Sequence, residues 1–107
     1  MKIGVIITTN EVEKAWNAFR YMNTSLEMGH EVTAFLMSAG VECEFMDHEF
    51  FNLSDQLDKF IENNGKLFAC STCLQFRKLH DKTQRAEITT MLKAVRMTED
   101  NDQVLTF

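Results

Sequence analysis

The chain has 107 residues, 45% of them apolar and 25% charged, with a formal charge of −5 at pH 7. That length fits one domain over residues 1–107, because a second core would bury too little surface. Net acidity without a long basic stripe argues against nucleic acid as the main partner, and no window approaches the ~18 apolar residues of a membrane span.

The first residues pass straight into Met1-Lys2-Ile3-Gly4-Val5-Ile6-Ile7, with neither the basic start nor the small-residue cleavage site of a secretory leader. A cytoplasmic protein is therefore expected, with Cys43, Cys70 and Cys73 held as reduced thiols rather than as a disulfide framework.

Residues 2 to 8, rich in Ile and Val, predict a parallel strand covered on both faces. Asn10 with Glu13 three positions on reads as a capping box, and Val12, Ala15, Trp16, Phe19, Met22 and Leu26 recur at helical spacing up to Gly29. A second strand is expected over Glu31–Met37, ending near Gly40. A helix from Ser54 should place Leu57, Phe60 and Ile61 beside Leu53 and stop at Gly65, and Leu67–Cys70 should form the third strand. Beyond a short helix and a polar connector, Ile88, Met91, Leu92 and Val95 predict one amphipathic helix, and Val104–Phe107 a closing fourth strand. Strand–helix alternation defines a three-layer α/β sandwich with a mostly parallel sheet.

Cys70-Ser71-Thr72-Cys73 falls at the corner between the third strand and the helix after it. A thiol there meets unpaired backbone N–H groups and the positive end of the helix dipole, both of which favour thiolate. The spacing alone serves disulfide exchange, half of a zinc site or sulfur carriage. Ligands in parallel sheets collect beyond the carboxyl ends of the strands. The reactive edge should therefore gather Thr8–Asn10, Ser38–Cys43 and Cys70–Cys73, with Thr9, Asn10, Gly40, Val41, Cys43, Ser71, Thr72 and Arg77 as candidate lining. For Cys43 simple burial is the better expectation.

Arg77, Lys78, Lys82 and Arg85 make a locally basic stretch, suited to a soft sulfur anion but equally to a solvated helix face. Zinc is disfavoured because only one tight ligand pair is present, and Thr8-Thr9-Asn10 lacks a glycine-rich phosphate loop, so no cofactor is expected. His48 between Asp47 and Glu49 has no accompanying nucleophile and reads as an exposed loop residue. Phe45, Met46, Phe50 and Phe51 exceed what a small monomer hides and suggest a subunit contact, whereas Trp16 and the methionines read as core.

The stretches Met1–Asn10, Ala15-Trp16-Asn17-Ala18, Gly29-His30-Glu31-Val32 leading to Phe35-Leu36, Gly40-Val41-Glu42, and Ala69-Cys70-Ser71-Thr72-Cys73-Leu74 with Arg77 resemble the DsrE/DsrF-like family of small sulfur-relay proteins. The resemblance runs nearly end to end. It implies a flavodoxin-like α/β fold, a homo-oligomer (trimer or hexamer), and sulfur donor and acceptor proteins as partners. By position Cys70 resembles the persulfide-bearing cysteine, with Cys73 as an assisting or resolving thiol, which implies a sulfur carrier or sulfurtransferase. Many relatives with two cysteines carry Gly where this chain has Ser71, and Arg-Gly where it has Arg77-Lys78. A dithiol redox protein or sensor, and an oligomeric binding module with packing thiols, are the alternatives.

Overall fold

In a computed structural model that describes residues 1–107, the first apolar run forms strand β1 (Lys2–Ile7), followed by helix α1 (Val12–Glu27) and strand β2 (Glu31–Leu36). A 3-10 segment (Ser38–Phe45) leads to helix α2 (Leu53–Glu62), strand β3 (Lys66–Cys70) and the short helix α3 (Ser71–Phe76). Strand β4 (Glu87–Thr89), helix α4 (Met91–Asp100) and strand β5 (Gln103–Thr106) complete the chain.

All five strands are parallel, in the order β4-β3-β2-β1-β5. From β1 to β4 the chain steps steadily in one direction, so right-handed crossovers put α1 and α2 on one face; the return from β4 to β5 crosses the sheet and puts α4 on the other. On the first face Ile3, Val5 and Ile7 of β1 join Ala18, Phe19 and Met22 of α1 and Leu57 and Phe60 of α2. The Phe19 and Phe60 rings meet edge to face at 5.6 Å. Burying each large apolar side chain is worth roughly 1.5–3 kcal/mol. On the second face Met97 lies against Gly4, where an added Cβ would stand 3.3 Å from its side chain, and Lys93 Nζ sits 4.5 Å over the Phe68 ring.

Three helices end in the same way. The N–H of Gly29 reaches the Leu26 carbonyl and that of His30 the Ser25 carbonyl; Asn64 and Gly65 repeat this on Ile61 and Phe60, and Lys78 and Leu79 on Gln75 and Leu74. Such Schellman closures need a left-handed residue just past the helix. It is Gly29 (φ 91°), Asn64 (φ 70°) and Lys78 (φ 58°) in turn. The stop expected at Gly65 is thus made by Asn64, and Gly65 has another reason to lack a side chain: a Cβ there would stand 2.5 Å from the Phe60 ring. Lys78 is the one of the three that is neither glycine nor asparagine. Lys78→Gly should therefore stabilise the fold, by up to roughly 1 kcal/mol as left-handed strain is relieved and chain entropy partly offsets it. A urea-midpoint comparison checks this, and a loss of stability would show that Lys78 makes a stabilising contact of its own.

Other differences from the sequence reading have local causes. The α1 cap is Glu11, whose carboxylate accepts the N–H groups of Glu13 (3.1 Å) and Lys14 (3.3 Å), rather than Asn10. Helix α2 begins at Leu53 behind the Asn52 cap, and β2 ends at Leu36 because Ser38 turns left-handed (φ 54°). Ile88 belongs to β4 instead of to a helix, so the closing strand is the fifth. In α4 the buried residues are Ala94 and Met97, while Met91, Leu92 and Val95 face outward. Trp16 is only partly covered, and Met1, Met28 and Met91 are exposed. No helix is long and apolar enough to cross a membrane.

Candidate functional site

The carboxyl ends of β1, β2 and β3 bring together the segments after them. Cys70 ends β3 and is at once the residue before α3, in extended conformation (φ −70°, ψ 119°), so its side chain turns inward and stays 4% exposed. Cys73, one turn on, is partly exposed, and Cys70 is near enough to push its pKa up. Ser38, left-handed at the end of β2, aims its backbone N–H at Cys73 Sγ at 3.1 Å.

Around this pair Arg77 makes two contacts. Its Nε donates to Glu42 Oε2 at 2.8 Å and its Nη1 to the Cys73 carbonyl at 3.2 Å, which ties the 3-10 segment to α3. Asn10 Nδ2 reaches the other Glu42 oxygen at 3.4 Å, so the loop after β1 joins the same network. The Arg77 hydrogen bond, against the opposing effect of burial, holds the Glu42 carboxyl below the usual carboxylate range, helped by Asn10 and by the Arg77 charge. The pair therefore adds stability that is present above the ordinary carboxylate pKa and lost as pH falls through the lowered one. Glu42, Phe45, Met46, Arg77 and Leu79 line an open hollow of about 430 Å³ beside this network. Two larger hollows, of about 610 and 630 Å³, share His30 and lie toward the amino ends of the strands, away from the thiols.

Burial pushes the Cys73 thiol up from its ordinary pKa; the Ser38 N–H opposes this, the neighbouring Cys70 adds to it, and the Arg77 charge pulls down. The lowering expected at a helix amino end is not met at Cys73, because desolvation there is the larger effect. At Cys43, fully buried, desolvation first and then the Glu42 and Glu44 charges push the thiol up to about 12.

Of the residues expected to line the site, Asn10, Cys70, Cys73 and Arg77 come together around Glu42 and α3. Thr9 serves the loop instead, its Oγ1 accepting the Glu11 N–H at 3.0 Å and its carbonyl the Cys43 S–H at 3.7 Å. Gly40, Val41 and Cys43 are buried beneath the site rather than lining it. Ser71 Oγ accepts from Gln75 Nε2 at 3.1 Å, and Thr72 is exposed beside it. The basic stretch is partly neutralised: Arg85 pairs with Asp58 at 2.7 Å, as Arg77 does with Glu42, leaving Lys78 and Lys82 in solvent. His48 is an exposed loop residue whose Nδ1 accepts the N–H groups of Phe50 (3.1 Å) and Phe51 (2.9 Å), so the proton of the neutral ring sits on Nε2. Phe51 packs on Trp16 at 5.2 Å, while Phe50 remains 75% exposed. No three His, Cys, Asp or Glu side chains converge as a metal cluster would need.

Sequence reasoning put Ser38 and Glu42 within the segment expected at the reactive edge but gave neither a role. Their partners lie 35 positions away, and only the 3-10 segment, with Val41 and Cys43 inward and Glu42 less buried between them, turns the carboxylate toward Arg77.

A parallel α/β sheet with two free thiols one helical turn apart at its carboxyl edge defines a small thiol-bearing protein of the α/β sandwich class. The sequence matches the DsrE/DsrF-like family over residues 1–107, and the chain belongs to that family. It is 32% identical to the uncharacterized protein MJ0989 of Methanocaldococcus jannaschii, with all of both chains covered. It is 31% identical to the uncharacterized protein MK0008 of Methanopyrus kandleri over 89% of this chain and 83% of that one. Among solved structures, the ychN protein of E. coli superposes with a TM-score of 0.85 at 24% identity, covering 100% of both chains. A conserved protein of unknown function from Bacteroides thetaiotaomicron, BT1422, superposes at 0.84 with 14% identity, covering 99% of this chain and 94% of that one. These likenesses in structure bear on the fold alone.

Proposed function

We propose that this protein is a sulfur-relay carrier that holds sulfane sulfur as a persulfide on Cys70, with Cys73 as the assisting or resolving thiol. The observation that carries the reading is the pair of free thiols at the carboxyl edge of the sheet, Cys70 ending β3 and Cys73 within α3, in a chain of the DsrE/DsrF-like family. A persulfide is a soft anion, and Ser38 N–H and Arg77 lie close enough to offset part of the burial cost of negative charge there. Three free thiols suit a reducing compartment such as the cytoplasm. Sulfur donor and acceptor proteins are the expected partners. A homo-oligomer, trimer or hexamer, would cover the apolar side chains left in solvent, among them Phe76 at 83% and Leu92 at 65% exposure.

The test exposes reduced protein to a small persulfide donor, removes the donor, and maps mass by peptide. One sulfur atom retained on Cys70 in wild type, and none retained by Cys70→Ser, is the expected result. A Cys70–Cys73 disulfide without retained sulfur would replace this reading with dithiol redox cycling, which the same spacing serves. No change at either thiol would leave the binding-module reading.

A further inference from the structure

The two thiols are not equivalent. Cys70 is 4% exposed, whereas Cys73 is partly exposed and is the one that receives the Ser38 N–H. Ser38 holds a left-handed backbone (φ 54°) that a non-glycine residue adopts at a cost of roughly 1–2 kcal/mol. Strain of this kind persists where the surroundings over-determine it, and here its product is an N–H aimed at sulfur. Arg77, bound to the Cys73 carbonyl, adds a positive charge on the same side. Reaction of a thiol needs both thiolate and access, and of the pair only Cys73 has access together with an N–H donor on its sulfur.

We infer that Cys73 is the thiol that first receives sulfur, that Cys70 takes it from Cys73, and that Ser38 is a positioning residue acting through its backbone N–H. This rests on the sulfur-relay reading and specifies its order. In the first step the Cys73 thiolate attacks the outer sulfur of a donor persulfide, R–S–SH. The donor S–S bond breaks, a Cys73–sulfane bond forms, and the donor leaves as a thiolate that takes up the proton Cys73 released. In the second step Cys70 attacks that same outer sulfur. The new bond forms on Cys70, the Cys73–sulfane bond breaks, and the proton that Cys70 gives up is taken by the departing Cys73 thiolate. Neither step changes the overall oxidation state, so no external oxidant or reductant is required. The buried position of Cys70 then shields the stored sulfur from solvent thiols.

The order is read in two ways. Iodoacetamide labelling of reduced wild-type protein, mapped by peptide, should modify Cys73 roughly tenfold or more ahead of Cys70, independently of any sulfur donor. With a persulfide donor and rapid trapping, Cys73→Ser should load Cys70 roughly tenfold or more slowly than wild type, and Cys70→Ser should show sulfur on Cys73 that is gone once the donor is removed. Ser38→Gly, which keeps the N–H and relieves the strain, should preserve the labelling order. Labelling of Cys70 first, or loading of Cys73→Ser at the wild-type rate, overturns the order while leaving sulfur carriage standing. Failure of wild type to retain sulfur, with Cys73 still labelled first, overturns the relay reading instead.

Discussion

Gly40→Ala should lower the unfolding midpoint by roughly 10 °C or more, the largest effect expected of any single methyl group added to this chain. A Cβ at position 40 would collide with the Ile7 carbonyl oxygen and stand 2.6 Å from the Ile7 carbonyl carbon. Neither can yield, because that oxygen accepts the Met37 N–H at 3.0 Å and so belongs to the junction of β1 and β2. The contrast with two of the other three glycines, Gly4 and Gly29, supplies the controls. Gly4→Ala meets Met97 and Asn101 side-chain atoms at 3.3 Å, which can shift, and Gly29→Ala has open space but a φ of 91°. The expected order of damage is Gly40, then Gly29, then Gly4, measured by thermal or urea unfolding. Gly40→Ala within about 1 kcal/mol of wild type would mean that the 3-10 segment is not seated on the end of β1. The same displacement would draw Ser38 from Cys73 and Glu42 from Arg77, so damage to thiol labelling should accompany damage to stability.

Most elements were legible because their apolar period is long enough to be unambiguous. Helix α1 shows Ala15, Phe19, Met22 and Leu26 on one stripe, and β1 and β3 are continuous apolar runs bounded by polar residues. The failures cluster where a signal is short or doubled. β4 has three residues and one large apolar side chain, Ile88, so neither period can register. Helix α4 has two apolar stripes, and the more regular one, Met91, Leu92 and Val95, is the outward one. The sheet takes the other because Met97 fits over Gly4, whose missing side chain lets α4 approach closely.

The thiol corner was legible for the same reason as β3: an apolar run ending in Cys70 fixes where the strand stops. The sheet-edge rule also placed Asn10, Ser38 and Glu42 on the same rim, but their contacts were not legible. Ser38, Glu42 and Asn10 reach the site from other strand ends, and a contact across 32 or 35 positions leaves no local pattern. Nor does a serine announce a left-handed backbone in the way glycine or asparagine does. The electrostatic expectation failed on a matter of magnitude. A helix amino end favours thiolate in principle, but at Cys73 desolvation is the larger effect.

Cys43 should stay unlabelled by iodoacetamide in the native protein and react only in step with unfolding. Its side chain is wholly buried, its S–H points to the Thr9 carbonyl at 3.7 Å, and its pKa is pushed from 9.0 to about 12. A rise of about three units lowers the thiolate fraction near pH 8 by about a thousandfold, before any loss of access is counted. Labelling at Cys43 across a urea series should therefore follow the loss of circular dichroism, whereas Cys73 labels in the native state. Native-state labelling of Cys43 at a rate near that of Cys73 would contradict the burial. The same shift predicts an alkaline effect of defined sign. The folded pKa lies above the unfolded value, so the unfolded chain loses this proton first, and the stability present below pH 9.0 declines from there toward about 12. The slope approaches roughly 1.4 kcal/mol per pH unit within that window. Cys43→Ala, though less stable overall because of the cavity it leaves, should lack this component, so its stability gap from wild type narrows as pH rises. The two carboxylates that flank Cys43 give the burial its meaning. Glu42 holds Arg77 beside the thiols, and Glu44 accepts the backbone N–H of Arg85 at 2.6 Å on the approach to β4. One seated turn with cysteine inward and carboxylates on either side thus fixes both the site and the outer edge of the sheet, and Cys43 reports whether it is seated.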